Sequence, residues 1–157
     1  MTERLYRTGF GQRYAMDPEM AWTAQTLAHH QWGVAVLLLK LFPDLSPVLL
    51  EEALLHDTGE PGTADASYVA KQAYPALAEV LDECEAVERA DMGVPETYLT
   101  DEERAQLELC DRLESYMFAK IRAPHVLERR KWQALRVRLI QMAARLGVED
   151  QVREMVA

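Results

Sequence analysis

The sequence predicts an all-α protein, a compact bundle of about six or seven helices that occupies residues 1–157 as a single domain. Apolar residues recur with helical spacing along most of the chain, and alternation of apolar and polar residues never extends beyond a few positions. Proline and glycine separate the helical stretches, without an internal repeat or a low-complexity linker. The length of 157 residues suits one domain with its own apolar core.

The first half of the chain carries two signals for the start of a helix. Asp17, placed before a proline, predicts an N-cap and a long helix that runs to about Leu41. Ser46-Pro47 repeats the signal and predicts a second helix, which ends near His56 because glycine and proline follow. A further short helix is predicted over 66–73.

The second half predicts three more helices. The first covers 76–90, and a glycine and a proline separate it from the next. Thr100–Glu103 forms a capping-box pattern and predicts a helix that continues to about Ile121. A last long helix is predicted from Pro124 to near Gly147.

The net charge and the cysteines restrict which partners the protein is expected to bind and in which cellular compartment it is expected to lie. The formal net charge of -9 and the pI near 4.9 do not favour a nucleic-acid polymer as partner. Cys84 and Cys110 lack metal-site spacing and are predicted to be small buried groups in a reducing compartment. The polar amino terminus does not resemble a signal peptide, so we expect a cytoplasmic protein without a membrane partner.

The basic residues between Arg129 and Arg145 suggest two alternatives. They could bind phosphate, but they are interleaved with apolar residues as on the solvent side of an amphipathic helix. On the second interpretation they face water or an acidic patch of another subunit. We expect a homo-oligomer, a dimer or higher.

Four polar residues lie in otherwise apolar helical stretches: His30, the pair His56-Asp57, and Asp111. Burying such groups without partners is costly, and aspartate is a poor residue for the middle of a helix. Taken alone, His30 is most simply a core histidine bonded to a carbonyl, and the His-Asp pair merely ends a helix. As a set, they predict one divalent metal ion.

The donor types restrict which metal the set would bind. Two neutral imidazoles and two carboxylates balance the charge of a divalent cation and leave positions open for water and substrate. Mixed nitrogen and oxygen donors suit Mn, Co or Zn, or alternatively Fe or Ni, better than Ca. The sequence offers no further histidines placed for a second ion, so we expect one metal per chain.

These residues, in the order H…HD…D, resemble the signature of the HD-domain metal-dependent phosphohydrolases. The resemblance covers about 13–116 and includes the segment His56–Glu60, HDTGE, which is similar to the bacterial 5'-deoxynucleotidases. The segment Thr26–His30 resembles the one that carries their first ligand. Compact bacteriophage dNTP triphosphohydrolases, including those that act on dATP, share this plan.

The resemblance implies roles for individual residues. His30, His56, Asp57 and Asp111 would bind the metal. Glu60 would orient or deprotonate the attacking water, and Asp65 would assist proton transfer at the leaving oxygen. Arg13 and Lys71 would hold phosphate oxygens, and Tyr14 would lie near the sugar or base. By default, Glu60 is a solvated loop residue and the two cations are ordinary surface groups.

The sequence also departs from the family pattern. Tyr14 stands where these nucleotidases usually have tryptophan, and His29 and Gln31 replace the acidic residue and serine that often flank the first ligand. The preference for base and sugar therefore does not carry over. Trp22 and Gln25 could line a base pocket by stacking and amide pairing, or Trp22 could pack in the core or against a subunit.

Together these expectations predict a metal-dependent phosphohydrolase of deoxynucleotides, a dNTP triphosphohydrolase of the dATP type that releases deoxynucleoside. One alternative is a 5'-deoxynucleotidase that releases phosphate from dNMPs. Others are a non-catalytic metal- or nucleotide-binding module and a structural helical dimer. Glu60 and Asp65 favour an enzyme, because binding alone requires neither.

Overall fold

A computed structural model describes residues 2–60 and 74–157 of the chain. The all-α prediction is confirmed: the described residues form seven α-helices and two short 3-10 helices, with one isolated β-bridge between Gln12 and Thr26 in place of any strand. The α-helices are α1 (Thr2–Thr8), α2 (Leu27–Leu41), α3 (Pro47–Leu55), α4 (Pro75–Asp91), α5 (Asp101–Arg122), α6 (Arg130–Arg145) and α7 (Glu149–Met155). Among the described residues, none of these helices combines the length and apolar composition that crossing a membrane requires.

The chain divides into two compact units. The first comprises Met1–His29 and Leu55–Thr97, and the second comprises His30–Leu54 and Tyr98–Ala157. In the second unit α5 packs on α6, and α6 packs on α7. The core of this unit includes large apolar side chains that are at most 1% exposed, among them Val34, Leu38, Leu49, Leu109, Leu113, Val126, Leu139, Val152 and Val156. Burial of apolar surface is the main force that holds these helices together.

The predicted helix start at Asp17 is wrong. The side chain of Asp17 accepts a hydrogen bond from the amide of Glu19 at 2.9 Å, which forms a local turn rather than a helix cap. Ala24 has a left-handed conformation, with φ of 50°, that an α-helix cannot include. The helix α2 begins only at Leu27, where the hydroxyl of Thr26 accepts from the amide of His29 at 3.2 Å.

Two other helix starts are confirmed. The hydroxyl of Ser46 accepts from the amide of Leu49 at 3.1 Å and so caps α3. Thr100 and Glu103 form the predicted capping box at the start of α5. Ser46 also donates to Oε1 of Glu103 at 2.6 Å, which links the starts of the two helices.

The ends of the chain contain helices that the pattern did not predict. Pro124 opens a 3-10 helix, Pro124–Glu128, and the long helix α6 starts only at Arg130. A separate helix, α7, follows Gly147, and α1 lies at the amino end. The short helix predicted over 66–73 lies outside the described residues.

The basic residues of α6 bind groups within the chain. Arg138 pairs with Glu108 of α5 at 3.0 Å, and Arg136 donates to the carbonyl of Val156 at 2.9 Å. These contacts favour the interpretation of α6 as an amphipathic helix with a polar outer side. The prediction for the cysteines is half correct, since Cys110 is buried whereas Cys84 is exposed.

Candidate metal centre

His30 lies on α2, and none of its surface is exposed. It belongs to the inner side of this helix, together with Val34 and Leu38, which recur at helical spacing and are also fully buried. The neighbouring His29 is exposed, so only one of these two adjacent residues is enclosed by the protein. An inward imidazole needs polar partners, because burial without them is costly.

The two ring nitrogens of His30 face two carboxylates of α5. Nδ1 lies 2.5 Å from Oε2 of Glu114, and Nε2 lies 3.1 Å from Oδ1 of Asp111. The two acids are three residues apart, so they share one side of α5. The side chain of Glu114 is 7% exposed and that of Asp111 is 34% exposed. Glu114 is therefore enclosed by protein, whereas Asp111 keeps access to solvent.

Gly33, three residues after His30 on α2, makes space for Glu114. A Cβ atom at this position would lie 2.7 Å from Cγ of Glu114 and 3.1 Å from Oε1. Real Cβ contacts are essentially never as short as 2.7 Å, so a larger residue at this position would displace the side chain of Glu114. The absence of a side chain at Gly33 thus allows Glu114 to reach the imidazole.

His56 and Asp57 follow α3 directly and lie in a turn. The amide and the hydroxyl of Thr58 both donate to the carbonyl of Leu55, at 3.1 and 2.7 Å. The amide of Glu60 donates to the carbonyl of Asp57 at 3.1 Å. The predicted placement of the His-Asp pair at the end of a helix is confirmed, whereas the predicted loop beyond Glu60 lies outside the described residues.

The helix α4 holds this turn from one side. Arg89 donates from Nη1 to the carbonyl of His56 at 3.0 Å. A Cβ atom on Gly59 would lie 2.5 Å from the carbonyl oxygen of Glu85, so only glycine permits this approach of the two backbones. The hydrogen bond and the close approach both restrict the position of His56.

Three of the predicted ligands form a group that can hold a metal ion. His30, His56 and Asp111 each offer one ligand atom, and these atoms all lie within 4.8 Å of one another. Ligands at about 2.0–2.2 Å from an ion such as Zn lie no more than about 4.4 Å apart, and the 4.8 Å limit on the spacing of these three atoms is similar in size. Two imidazole nitrogens and a carboxylate oxygen are a donor set suited to transition metals.

Asp57, the fourth predicted ligand, is not a member of this group within the described residues. Its Oδ1 lies 3.3 Å from Nε2 of His56, and its side chain is largely buried. The carboxylate is thus next to a member of the group, and its role as a ligand stays a prediction.

The predicted catalytic and phosphate-binding residues are only partly described. Glu60 is partly buried and follows the His-Asp turn directly. Asp65 and Lys71 lie outside the described residues. Arg13 is partly buried, and its guanidinium carbon lies 5.4 Å from the centre of the ring of Tyr14, within range of a cation–π contact. Tyr14 has a left-handed backbone, with φ of 60°, which is uncommon outside glycine.

The two residues considered for a base pocket lie before α2 rather than on it. Trp22 is 59% exposed, so packing in a core is wrong for this residue, and its ring nitrogen donates to the carbonyl of Glu19 at 3.0 Å. Gln25 is 1% exposed. The exposed indole stays available for stacking, whereas the amide is enclosed.

Cys110 lies beside Asp111 but has the properties of an apolar core residue. Its side chain is fully buried, and burial raises the pKa of the thiol, with a smaller contribution from the charge of Asp111. The thiolate is the form that binds metals, so a raised pKa disfavours Cys110 as a ligand.

Comparison with known proteins adds no relative. The chain matches no family model, no curated protein and no solved structure.

Four residues that support single members of the group were not predicted from the sequence: Gly33, Gly59, Arg89 and Glu114. Glu114 carried a usable signal, because it lies three residues from Asp111 and next to the core residue Leu113. The others act through contacts between residues far apart in the sequence, which no local pattern reveals.

Proposed function

We propose that the protein is a metal-dependent phosphohydrolase of deoxynucleotides, with a deoxynucleoside triphosphate as its substrate. The observation that carries this proposal is the grouping of His30, His56 and Asp111, with ligand atoms within 4.8 Å of one another. The order of these residues along the chain, with Asp57 and Glu60 beside His56, resembles the HD-domain phosphohydrolases. Asp57 would complete the ligand set.

The donors fit a divalent transition ion, and Mn, Co and Zn suit them best. A divalent cation held there would supply Lewis acidity for attack on a phosphorus centre. The chain has to add a positioned water, cations for the phosphate oxygens and an acid for the leaving group.

Glu60 is the residue that positions the attacking water. It follows the His-Asp turn directly, and its backbone amide donates a hydrogen bond to the carbonyl of Asp57, which restricts the position of its backbone. We assign its carboxylate the task of orienting the attacking water and accepting a proton from it. Arg13 would bind phosphate oxygens, supported by its partly buried position next to Tyr14. Lys71 would also bind phosphate, and Asp65 would assist proton transfer at the leaving oxygen.

The reaction balances as a hydrolysis at the α-phosphorus. The oxygen of water forms a bond to phosphorus, the bond from phosphorus to the 5' oxygen breaks, and this oxygen takes up a proton. The products are a deoxynucleoside and triphosphate. Hydrolysis of a dNMP by the same steps would yield orthophosphate.

A panel of dNTPs, dNMPs and NTPs tests the proposal with Mn, Co or Zn present. The expected product from a dNTP is triphosphate, and in ¹⁸O-labelled water the label should enter triphosphate rather than the deoxynucleoside. Orthophosphate from dNMPs would indicate a 5'-deoxynucleotidase instead. A stable metal content without turnover would indicate a binding module, and absence of any metal would indicate a structural role for the polar group.

The variant Glu60→Gln tests the role of the carboxylate. It should keep the metal and lose hydrolysis, because the amide cannot accept the proton from water. The matched control is Glu51→Gln on the exposed side of α3, which should keep both. Unchanged turnover in Glu60→Gln would remove Glu60 from the mechanism.

A further inference from the structure

The immediate surroundings of His30 contain a carboxylate that the ligand set does not use. Glu114 approaches Nδ1 at 2.5 Å, whereas the nitrogen available to an ion at this site is the one that faces Asp111. Glu114 is 7% exposed, and enclosing a carboxylate is costly unless its partner repays the loss of water. Its contact with His30 therefore requires an explanation beyond packing.

Two carboxylates compete for the proton of the neutral imidazole. An ionised carboxylate only accepts hydrogen bonds, so either Nδ1 donates to Glu114 or Nε2 donates to Asp111. The contact with Glu114 is shorter, 2.5 Å against 3.1 Å, and lies in the more enclosed surroundings, where hydrogen bonds are stronger. The geometry favours the proton on Nδ1.

The position of the proton determines whether His30 can bind a metal. A proton on Nε2 would block the nitrogen that faces Asp111, and it would also occupy a lone pair of that carboxylate. A proton on Nδ1 leaves both atoms available. Metal-binding histidines commonly donate their second ring nitrogen to a carboxylate or carbonyl, which fixes the tautomer and the orientation of the ring.

We propose that Glu114 is a positioning residue, which holds the proton of His30 on Nδ1 and so directs Nε2, together with Asp111, towards the metal ion. Gly33 is part of this arrangement, because a side chain there would displace Glu114 from the ring. The inference rests on the metal-binding part of the proposed function. It does not depend on the substrate or on catalysis.

Three variants test the assignment. Glu114→Leu removes the acceptor, and Glu114→Gln keeps the size and one acceptor but removes the charge. Gly33→Ala keeps the carboxylate and displaces it. The control is Glu108→Gln on the same helix, where the side chain is 44% exposed and pairs with arginine. Affinity for Zn or Co is measured by competition with a chelator, and the melting temperature of the metal-free protein is measured in parallel.

We expect Glu114→Leu and Gly33→Ala to weaken metal affinity by about 10- to 100-fold, the range typical for loss of such a partner. Glu114→Gln should weaken it less, and Glu108→Gln should leave it unchanged. A purely structural role would lower the melting temperature of the metal-free variants without changing their affinity. That outcome would overturn the inference. If Glu114→Leu does not fold, Gly33→Ala and Glu114→Gln decide the question by the same criterion.

Nitrogen shifts of the His30 ring give a second, direct readout. Recorded without metal at alkaline pH, they should indicate a proton on Nδ1 in the unmodified protein and a shift towards Nε2 in Glu114→Gln. A proton on Nε2 in the unmodified protein would overturn the inference even if metal binds. Failure of the unmodified protein to bind any metal would instead overturn the proposed function, and the ring shifts would still test the role of Glu114.

Discussion

Two sides of α5 present acidic residues in different surroundings. On the inner side, Asp111 and Glu114 contact the ring of the fully buried His30. Glu108 lies one turn earlier, and we call its surroundings the outer side because its side chain is 44% exposed and pairs with Arg112 at 2.9 Å and with Arg138 at 3.0 Å. The outer pairs are ordinary surface ion pairs, in which solvent weakens the attraction, so each pair adds little to the stability of the fold.

The difference between the two surroundings indicates which carboxylates need a functional explanation. An exposed carboxylate costs little and needs no special reason. An enclosed carboxylate beside an enclosed imidazole forgoes water, and this loss is repaid only by good hydrogen bonds or by a bound cation. If the comparison is correct, changes on the inner side should alter metal binding, and changes on the outer side should alter stability slightly or not at all.

The largest effect is expected for Asp111→Asn. The amide keeps the shape but loses the charge that a cation needs. Metal affinity should therefore fall by more than roughly 100-fold, which is the upper range for loss of a residue that only hydrogen-bonds to a metal ligand. Hydrolysis should be lost with it. Metal content after purification without chelator, followed by chelator competition, measures the effect against Glu108→Gln. Affinity equal to that of the unmodified protein would remove Asp111 from the ligand set.

The second effect concerns the apolar part of the same comparison. Leu113 is fully buried between the two inner acids along α5, whereas Ile121 on the same helix is 71% exposed. Leu113→Ala should lower the free energy of unfolding by about 2–5 kcal/mol, because it leaves a cavity. Ile121→Ala should change it by no more than about 0.5 kcal/mol. Denaturant unfolding of both variants checks the difference, and equal losses would contradict the difference in burial between the two positions.

Ile121 also shows where a sequence pattern stops predicting burial. It lies at helical spacing from Leu113, but an apolar residue near a helix end does not have to be covered. The spacing coincides with burial in the middle of α5 and not at its end. Spacing predicts which residues share a side, and the neighbouring elements decide how far along the helix that side is covered.

The site was predictable where chemistry is local. His30, the pair His56-Asp57, and Asp111 were visible as polar residues in apolar helical stretches. Glu114 and Gly33 became significant only through a contact between α2 and α5, which lie far apart in the sequence. The two helix starts in the first half of the chain differ in the same way. The prediction at Ser46 is correct because its hydroxyl caps α3, whereas the carboxylate of Asp17 accepts a hydrogen bond within a local turn and caps no helix.

A smaller effect is expected at the start of α5, which supports both sides equally. Thr100→Ala removes the capping box and should lower stability by about 1 kcal/mol. Metal affinity should stay the same, because the cap lies away from Asp111 along the helix. Thr97→Ala, whose hydroxyl makes only a 3.5 Å contact with the carbonyl of Pro95, is the control. A loss of metal without a loss of stability would contradict this separation.

The same helix start predicts a pH dependence. Hydrogen bonds from Ser46 and then from Thr100 hold the pKa of Glu103 below its ordinary value of 4.5. A lowered pKa in the folded state contributes stability above about pH 4.5, and this contribution is lost as pH falls through the lowered value. Ser46→Ala should therefore be less stable than the unmodified protein at neutral pH, and the gap should narrow in acid. Unfolding curves across this range, with a gap that stays constant, would exclude the contribution of Glu103.

The smallest effect is expected for Arg138→Ala on the outer side. The side chain is 53% exposed, and Glu108 keeps its contact with Arg112 when Arg138 is removed. Stability should fall by no more than about 1 kcal/mol, and less at high salt because ions screen exposed pairs. Metal affinity should be unchanged, since neither Glu108 nor Arg138 belongs to the group around His30 among the described residues. A loss of affinity in Arg138→Ala comparable to that in Glu114→Leu would mean that the two sides of α5 act as one network, and the contrast drawn between them would fail.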